Sequence, residues 1–182
     1  MVLCVYFAFS PLCFGKALSE SEPGDVLVID TQGSNRTVAG ELFGTESMRR
    51  GIQAIVMDGP CRDTGPLSEM DIPVFCTGVR PISGTACKIY ETQVPVMCGG
   101  VVVHPGDIVF GDDDGIIVAS IEHMARILPA AENVVAAEDA LLKGMKSGVS
   151  LLDMLNFADH YDAIKSGDTT SKLQFKGATE IA

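Results

Sequence analysis

An arginine and an aspartate stand side by side where a predicted strand ends. Arg62 and Asp63 close the segment DGPCRD, which follows directly on the apolar run IQAIVMD at positions 52–58. In open α/β sheets, ligands bind beyond the carboxyl ends of the strands. A guanidinium there suits an anionic substrate, and a carboxylate suits a divalent cation. The alternative interpretation is a salt bridge that only orders the loop.

A second candidate lies at the start of the helix predicted over positions 37–50. There the chain reads Ala39-Gly40-Glu41-Leu42. The first N–H groups of a helix are free to bind an anion, and a glycine lets a carboxylate approach closely. The sequence therefore predicts a carboxylate site at this helix start, unless Gly40 serves only for packing.

Other catalytic motifs are missing from the sequence. It contains no GxxxxGK[ST] or GxGxxG phosphate loop, no HExxH and no GxSxG. Its histidines, His104, His123 and His160, are scattered and do not suggest a shared metal site. The turn GDDDG at 111–115 is predicted to be a solvated hairpin, because adjacent acids on a tight turn cannot all face one ion. These observations argue against the usual hydrolase, kinase and dinucleotide-binding classes.

The composition describes an acidic globular chain. Its 182 residues include 13 Lys and Arg against 24 Asp and Glu, a net charge of −11, which disfavours nucleic-acid binding. Six cysteines form no CxxC pair, and we predict that most are small apolar residues within strands, kept reduced in the cytoplasm. The apolar stretch 2–9 is too short to span a bilayer and lacks the basic start of a secretory signal, so we predict a buried strand there and no membrane association.

The hydrophobic pattern alternates strands and helices in the first half of the chain. A strand at 26–30, the helix at 37–50 and a strand at 52–58 form a βαβ unit, for which right-handed parallel pairing is expected. A short helix at 66–70 and a strand at 73–77 follow.

The second half is predicted to begin with hairpins and to end in helices. Short strands at 101–104, 108–110 and 116–119 are separated by Gly/Asp turns. Helical spacing then runs from Ile121 to Lys146, with a kink expected at Pro129. A further short helix is expected within 149–157. We predict an α/β fold with a mixed sheet, forming one domain over 1–165 with a polar tail at 166–182.

Taken in order, these segments resemble the RraA-like proteins. The resemblance covers about residues 16–148 and rests on KALSESEPGDVLVID, AGELFGTESMRRGIQAIVMDGPCRD, IPVFCTGVRP and GGVVVHPGDIVFGDDDGIIV. That family includes class II pyruvate aldolases acting on 4-hydroxy-4-methyl-2-oxoglutarate or 4-carboxy-4-hydroxy-2-oxoadipate. It also includes the regulator of ribonuclease E activity A, which binds and inhibits an RNase.

The resemblance implies a swivelling β/β/α domain, with flanking helices, assembled as a homotrimer or hexamer with active sites between subunits. It places a pyruvyl-binding stretch at four consecutive residues, Gly40, Glu41, Leu42 and Phe43. Arg62 is then the catalytic and substrate-binding arginine, and Asp63 the ligand of Mg²⁺ or Mn²⁺. An aspartate at position 63 favours the aldolase, with oxaloacetate decarboxylation as a side activity, over the regulator.

Three further expectations concern a neighbouring subunit, the general base and the N-terminus. The family places a glutamate from a neighbouring subunit near the metal, for which Glu138 is the best match and Glu132 the rival. The general base is Glu41, or a water held by Glu41 and Glu138. The helix that usually precedes the family's first strand is expected to be missing, because this chain begins almost at that strand.

Overall fold

The computed structural model describes residues 3–7, 11–84 and 90–176. They form two compact units, Met1–Met124 and Ala125–Ala182. The elements in chain order are β1 (Leu3–Phe7), α1 (Pro11–Glu20), β2 (Val26–Asp30), α2 (Glu41–Arg49), β3 (Ala54–Cys61), α3 (Thr64–Ser68), β4 (Val74–Val79), β5 (Val96–Cys98), β6 (Val101–Val103), β7 (Ile108–Asp112), β8 (Gly115–Ala119), α4 (Ile121–Lys146), α5 (Leu151–Met154) and α6 (Phe157–Lys165).

A parallel sheet with the strand order β1-β2-β3-β4 organises the first unit. Every residue of β2 is buried, because both faces of the sheet are covered. Phe14 of α1 packs in one core cluster with Leu27 and Ile29. On the opposite face, Val26 and Val28 of β2 and Val56 of β3 pack in one cluster with residues of β5, β6 and β7. The α/β class is as predicted, but among the described residues the parallel strands and the antiparallel pairs β5–β6 and β7–β8 form separate sheets and not one mixed sheet.

The helix α2 begins four residues later than its hydrophobic pattern indicated. Thr37 does not enter the helix, because its N–H donates to the Ile82 carbonyl at 2.8 Å and its carbonyl accepts from Gly84 N–H at 2.7 Å. Residues 37–40 therefore run beside the segment after β4, and Gly40 becomes the N-cap of α2. This shift places Gly40 and Glu41 at the helix start itself.

The strand β3 is longer than predicted. It continues through Gly59 and Pro60 to Cys61, although those residues read as a loop in the sequence. Its pairing with β4 shifts register between Met57 and Pro60, and such irregularities tolerate a proline. The strand consequently ends directly before Arg62.

The remaining differences concern short elements. Helix α1, strand β5 and helix α6 were not predicted; α1 follows β1, the strand expected within 2–9, and α5 is the short helix expected within 149–157. The hairpin β7–β8 is confirmed, with the Asp114 N–H donating to the Asp112 carboxylate across the turn at 2.9 Å. Helix α4 has the predicted bounds, and its helical assignment continues through Pro129.

The cysteine prediction is confirmed in part. Cys13, Cys61, Cys76 and Cys98 are free thiols, but Cys13 lies on a helix and Cys76 is exposed. Cys87 lies outside the described residues. In the described part of the chain, no helix combines the length and the apolarity needed to cross a bilayer.

Candidate active site

Three segments meet at the carboxyl end of the parallel sheet. They are residues 36–41 before and at the start of α2, residues 62–63 after β3, and residues 80–84 after β4. The Arg62 N–H donates to the Ala39 carbonyl at 3.3 Å, and the Arg80 N–H donates to the Cys61 carbonyl at 3.0 Å. These bonds, with those of Thr37, join the three segments into one rim.

The carboxylate of Asp63 points to the start of α2. Its Oδ2 accepts a hydrogen bond from the Glu41 N–H at 3.2 Å and lies 3.5 Å from Nε of Arg62. The Asp63 backbone is left-handed, with φ 55° and ψ 42°, a conformation that costs energy for any residue with a Cβ. Asp63 is the N-cap residue of α3, yet its side chain does not cap that helix. The strained backbone therefore directs the carboxylate towards α2.

Gly40 is required here for space and not for conformation. Its φ of −164° is extended backbone that any residue adopts. A Cβ at this position would collide with Oδ2 of Asp63 and would lie 3.0 Å from Cγ and 3.2 Å from Nε of Arg62. The missing side chain is what allows the carboxylate and the guanidinium to sit against the helix start.

The N-terminus of α2 has free donors for an anion. The N-cap residue Gly40 has no side chain to cap it, Asp63 binds the Glu41 N–H, and the first intrahelical bond is from Gly44 N–H to the Gly40 carbonyl at 2.9 Å. The amides of Leu42 and Phe43 are thus among those that an α-helix leaves without intrahelical partners. The Leu42 side chain is exposed, whereas the Phe43 ring packs on Phe14 with centroids 4.5 Å apart. Phe43 can therefore bind a ligand only through its backbone N–H.

The donor set fits a hard divalent cation held by few protein groups. Among the described residues, no three His, Cys, Asp or Glu side chains converge on one point. Asp63 is still a suitable ligand, because Mg²⁺ commonly binds one or two carboxylates and keeps several waters. The Asp63 side chain is 39% exposed, which leaves room for such waters.

The polar residues next to the rim have structural roles. The Asp58 carboxylate accepts from Gly99 N–H at 3.0 Å and thereby ties the β5–β6 hairpin to the sheet. Burial raises the pKa of the Cys61 thiol to about 11, with a smaller contribution from its hydrogen bond to Cys76. Cys61 is therefore protonated near neutral pH and does not supply a thiolate nucleophile beside Arg62.

A family model matches this chain over residues 4–118, which include β1 to β8 almost completely and every residue of the rim. The model describes the RraA-like family, Aldolase/RraA. This chain belongs to the RraA-like family.

Two bacterial relatives of this RraA-like chain carry the provisional name 4-hydroxy-4-methyl-2-oxoglutarate aldolase. The protein of Halalkalibacterium halodurans is 33% identical over 135 residues, which are 74% of this chain and 64% of that protein. The protein of Alcanivorax borkumensis is 34% identical over 97 residues, 53% of this chain and 61% of that protein. The chain therefore spans less than two thirds of the length of either relative.

Solved structures agree on the fold. Streptomyces coelicolor RraAS2, described as an unusual member of the RNase ES inhibitor RraA protein family, is 30% identical with a TM-score of 0.65, covering 76% of this chain and 73% of that one. An uncharacterised Pseudomonas syringae protein is 23% identical with a TM-score of 0.75, covering 84% of this chain and 75% of that one, and shows the shared fold alone.

The structure brings together most of the site residues that the sequence pointed to. Gly40, Glu41, Arg62 and Asp63 lie in contact at the rim, although 21 positions separate Glu41 from Arg62. Glu138 lies on α4 within the second unit and is exposed, as is Glu132. The roles given to Glu138 and Glu132 stay predictions.

Two arginines of the rim were missed by sequence reasoning. Arg36 donates through Nη1 to the Ser83 carbonyl at 3.0 Å, and Arg80 directly follows β4. Arg80 had a signal in the sequence, because it follows an apolar strand just as Arg62 does. Arg36 lies in a polar turn, and no sequence signal of this kind marked it.

Proposed function

We propose that this chain is a divalent-metal-dependent aldolase that cleaves 4-hydroxy-4-methyl-2-oxoglutarate, or 4-carboxy-4-hydroxy-2-oxoadipate, to pyruvate and a second 2-oxo acid. The observation that carries the proposal is the contact of Asp63 and Arg62 with Gly40 at the start of α2, where the Leu42 and Phe43 amides have no intrahelical partners. It combines a cation ligand, a guanidinium and free amides in one place. The names of the two bacterial relatives support the same reaction.

The chemistry requires charge stabilisation at one oxygen. Cleavage breaks the bond between the hydroxyl-bearing carbon and its neighbour, and the electron pair passes to the 2-oxo group to give the enolate of pyruvate. A divalent cation, Mg²⁺ or Mn²⁺, held by Asp63 would supply Lewis-acid stabilisation of that charge. Arg62 donates hydrogen bonds to the enolate oxygen as its charge develops. The amides of Leu42 and Phe43 bind the substrate carboxylate.

The hydroxyl proton needs an acceptor within the same site. Glu41 is the candidate, because its backbone N–H bonds to Asp63 and its side chain is exposed at the rim. Glu41 takes the proton directly or through a water that it shares with Glu138 of a neighbouring subunit, and the return of this proton to the enolate carbon completes pyruvate and restores Glu41. Oxaloacetate decarboxylation yields the same enolate, so the same residues serve both reactions.

The function is tested by measuring pyruvate release from oxaloacetate and from 4-hydroxy-4-methyl-2-oxoglutarate with Mg²⁺. We expect turnover that EDTA abolishes and that added Mg²⁺ or Mn²⁺ restores. Protein-free solutions at the same metal concentration correct for decarboxylation by the metal alone. Absence of turnover with both substrates would refute the aldolase.

A second candidate function is the binding and inhibition of a ribonuclease partner. It is favoured by the 30% identity to the RNase ES inhibitor family member and by the net charge of −11, which suits a basic partner surface. Inhibition of an RNase E-type enzyme by a chain that turns over no 2-oxo acid would establish this alternative.

We further propose that the active unit is a homotrimer or hexamer. Within Ala125–Ala182, the only hydrophobic residue found buried among those described is Leu155. Large apolar side chains such as Val135 and Leu142 of α4 are at least half exposed, and a helix with such a surface commonly packs on a neighbour.

Dilution should therefore lower the specific activity as subunits separate. Light scattering across a dilution series, run beside the oxaloacetate assay, measures both quantities. A Glu138→Gln variant should lose activity without changing the mass of the assembly. A fully active monomer would contradict the oligomer and the role of Glu138 together.

A further inference from the structure

Arg80 presents a guanidinium at the rim that has no carboxylate partner among the described residues. Its side chain is exposed, and its one side-chain hydrogen bond among the described residues is a long one of 3.4 Å to the adjacent Val79 carbonyl. The chain carries 24 carboxylate residues against 13 basic ones. An arginine left unpaired in so acidic a chain is available to an anionic ligand.

The position of Arg80 is set by its pairing with the strand that leads to Arg62. Cys61 and Val79 are the last register partners of β3 and β4, so Arg62 and Arg80 are the next residues on two neighbouring strands. The bond from Arg80 N–H to the Cys61 carbonyl continues that pairing. Their backbones therefore lie side by side at about one strand spacing, roughly 4.8 Å.

The other arginines of the rim are already engaged. Arg62 is paired with Asp63, and Arg36 is bonded to the Ser83 carbonyl. Half of the chain's six arginines thus stand on this one edge of the sheet, and among the described residues Arg80 is the rim arginine whose side chain is held only by a long bond to its neighbour's carbonyl.

We propose that Arg80 binds the carboxylate at the far end of a dicarboxylic 2-oxo acid, and so selects dicarboxylates over monocarboxylates. The inference rests on the proposed function for the other end of the ligand, where Arg62 and the start of α2 hold the 2-oxo acid group. The spacing of neighbouring strands suits a short dicarboxylate that spans both arginines. A monocarboxylate of the same length leaves the Arg80 guanidinium unpaired and gains nothing from it.

Binding of two matched ligands isolates this contact. The Mg²⁺-loaded protein is titrated calorimetrically with 2-oxoglutarate and with 2-oxopentanoate, which differ in a terminal carboxylate against a methyl group. We expect wild type to bind 2-oxoglutarate about ten- to a hundredfold more tightly, as a charged hydrogen-bonded pair provides. Arg80→Gln should remove that preference and leave 2-oxopentanoate binding unchanged, while Arg80→Lys should retain part of it.

Arg49→Gln is the matched control, because it removes one positive charge from the same unit at the far end of α2. It should keep the preference. The proposal is overturned if Arg80→Gln keeps the preference, if it weakens both ligands equally, or if wild type shows none.

Measurements of turnover distinguish a failure of the Arg80 proposal from a failure of the proposed aldolase function. In the 4-hydroxy-4-methyl-2-oxoglutarate assay, Arg80→Gln should raise KM about tenfold or more with little change in kcat, because the far carboxylate stays a carboxylate in that reaction and leaves with the second pyruvate. If wild type turns over neither substrate but Arg80→Gln still removes the dicarboxylate preference, the aldolase is refuted and the carboxylate site at Arg80 is retained. Normal KM values in Arg80→Gln keep the aldolase and refute the site.

Discussion

Asp63→Ala is expected to abolish metal-dependent turnover while the protein stays folded. Asp63 is the carboxylate that the structure holds at the start of α2, and its removal leaves the divalent cation without its proposed ligand. Lewis-acid stabilisation contributes several kcal/mol, and about 1.4 kcal/mol corresponds to a tenfold change in rate. We therefore expect kcat/KM for oxaloacetate to fall at least about a hundredfold, measured across a range of Mg²⁺ concentrations.

Companion variants separate loss of the carboxylate from distortion of the backbone. Asp63→Asn keeps the side-chain shape and a residue type that tolerates the left-handed conformation, and it should be as inactive as Asp63→Ala. Gly40→Ala should also lose activity, since its Cβ displaces Asp63 and Arg62. Asp71→Ala, at the amino end of β4, should remain active. Wild-type rates at low Mg²⁺ in Asp63→Asn would disprove the metal assignment.

Arg62→Lys is expected to lower kcat about a hundredfold with a smaller change in KM. Lysine keeps the positive charge but loses the planar fork that reaches an oxyanion and Asp63 together. The effect falls on kcat because the contact strengthens as the enolate forms, and loss of one oxyanion donor costs about 10²- to 10³-fold. Steady-state kinetics with oxaloacetate and with 4-hydroxy-4-methyl-2-oxoglutarate measure both constants.

Arg49→Lys is a suitable control for this substitution. Arg49 pairs with Glu46 at the far end of α2, with Nε 2.6 Å from the carboxylate, and it does not reach the rim. It should leave both kinetic constants unchanged. An Arg62→Lys enzyme with normal kcat and a raised KM would show that Arg62 binds the ground-state substrate as strongly as the transition state.

Local sequence patterns correctly predicted the elements whose surroundings stay the same along their length. The strand 26–30 was predicted with its observed bounds, because a strand buried on both faces reads as a continuous apolar run. Helix α4 was likewise predicted from Ile121 to Lys146, because its long periodic pattern is interrupted only by Pro129. Adjacency in sequence also placed Arg62 and Asp63 together at a strand end.

The tertiary structure decided where the elements around the site begin and end. Residues 37–40 carry helical spacing, but hydrogen bonds between Thr37 and the segment after β4 keep them extended. Gly59 and Pro60 are loop-forming residues, but the register shift against β4 accommodates them within β3. Neither interaction is local, so neither has a signal in the sequence around these residues.

By itself the sequence determined the α/β class, the family resemblance and the residue types of the site. Only the tertiary structure decided that Asp63 turns towards the Glu41 amide, that Gly40 is needed for space, and that Arg80 stands one strand away from Arg62. The reason is physical. Residue types and periodicity are local properties of the chain, whereas the direction of a carboxylate and the pairing of two strand ends depend on contacts between segments far apart in sequence.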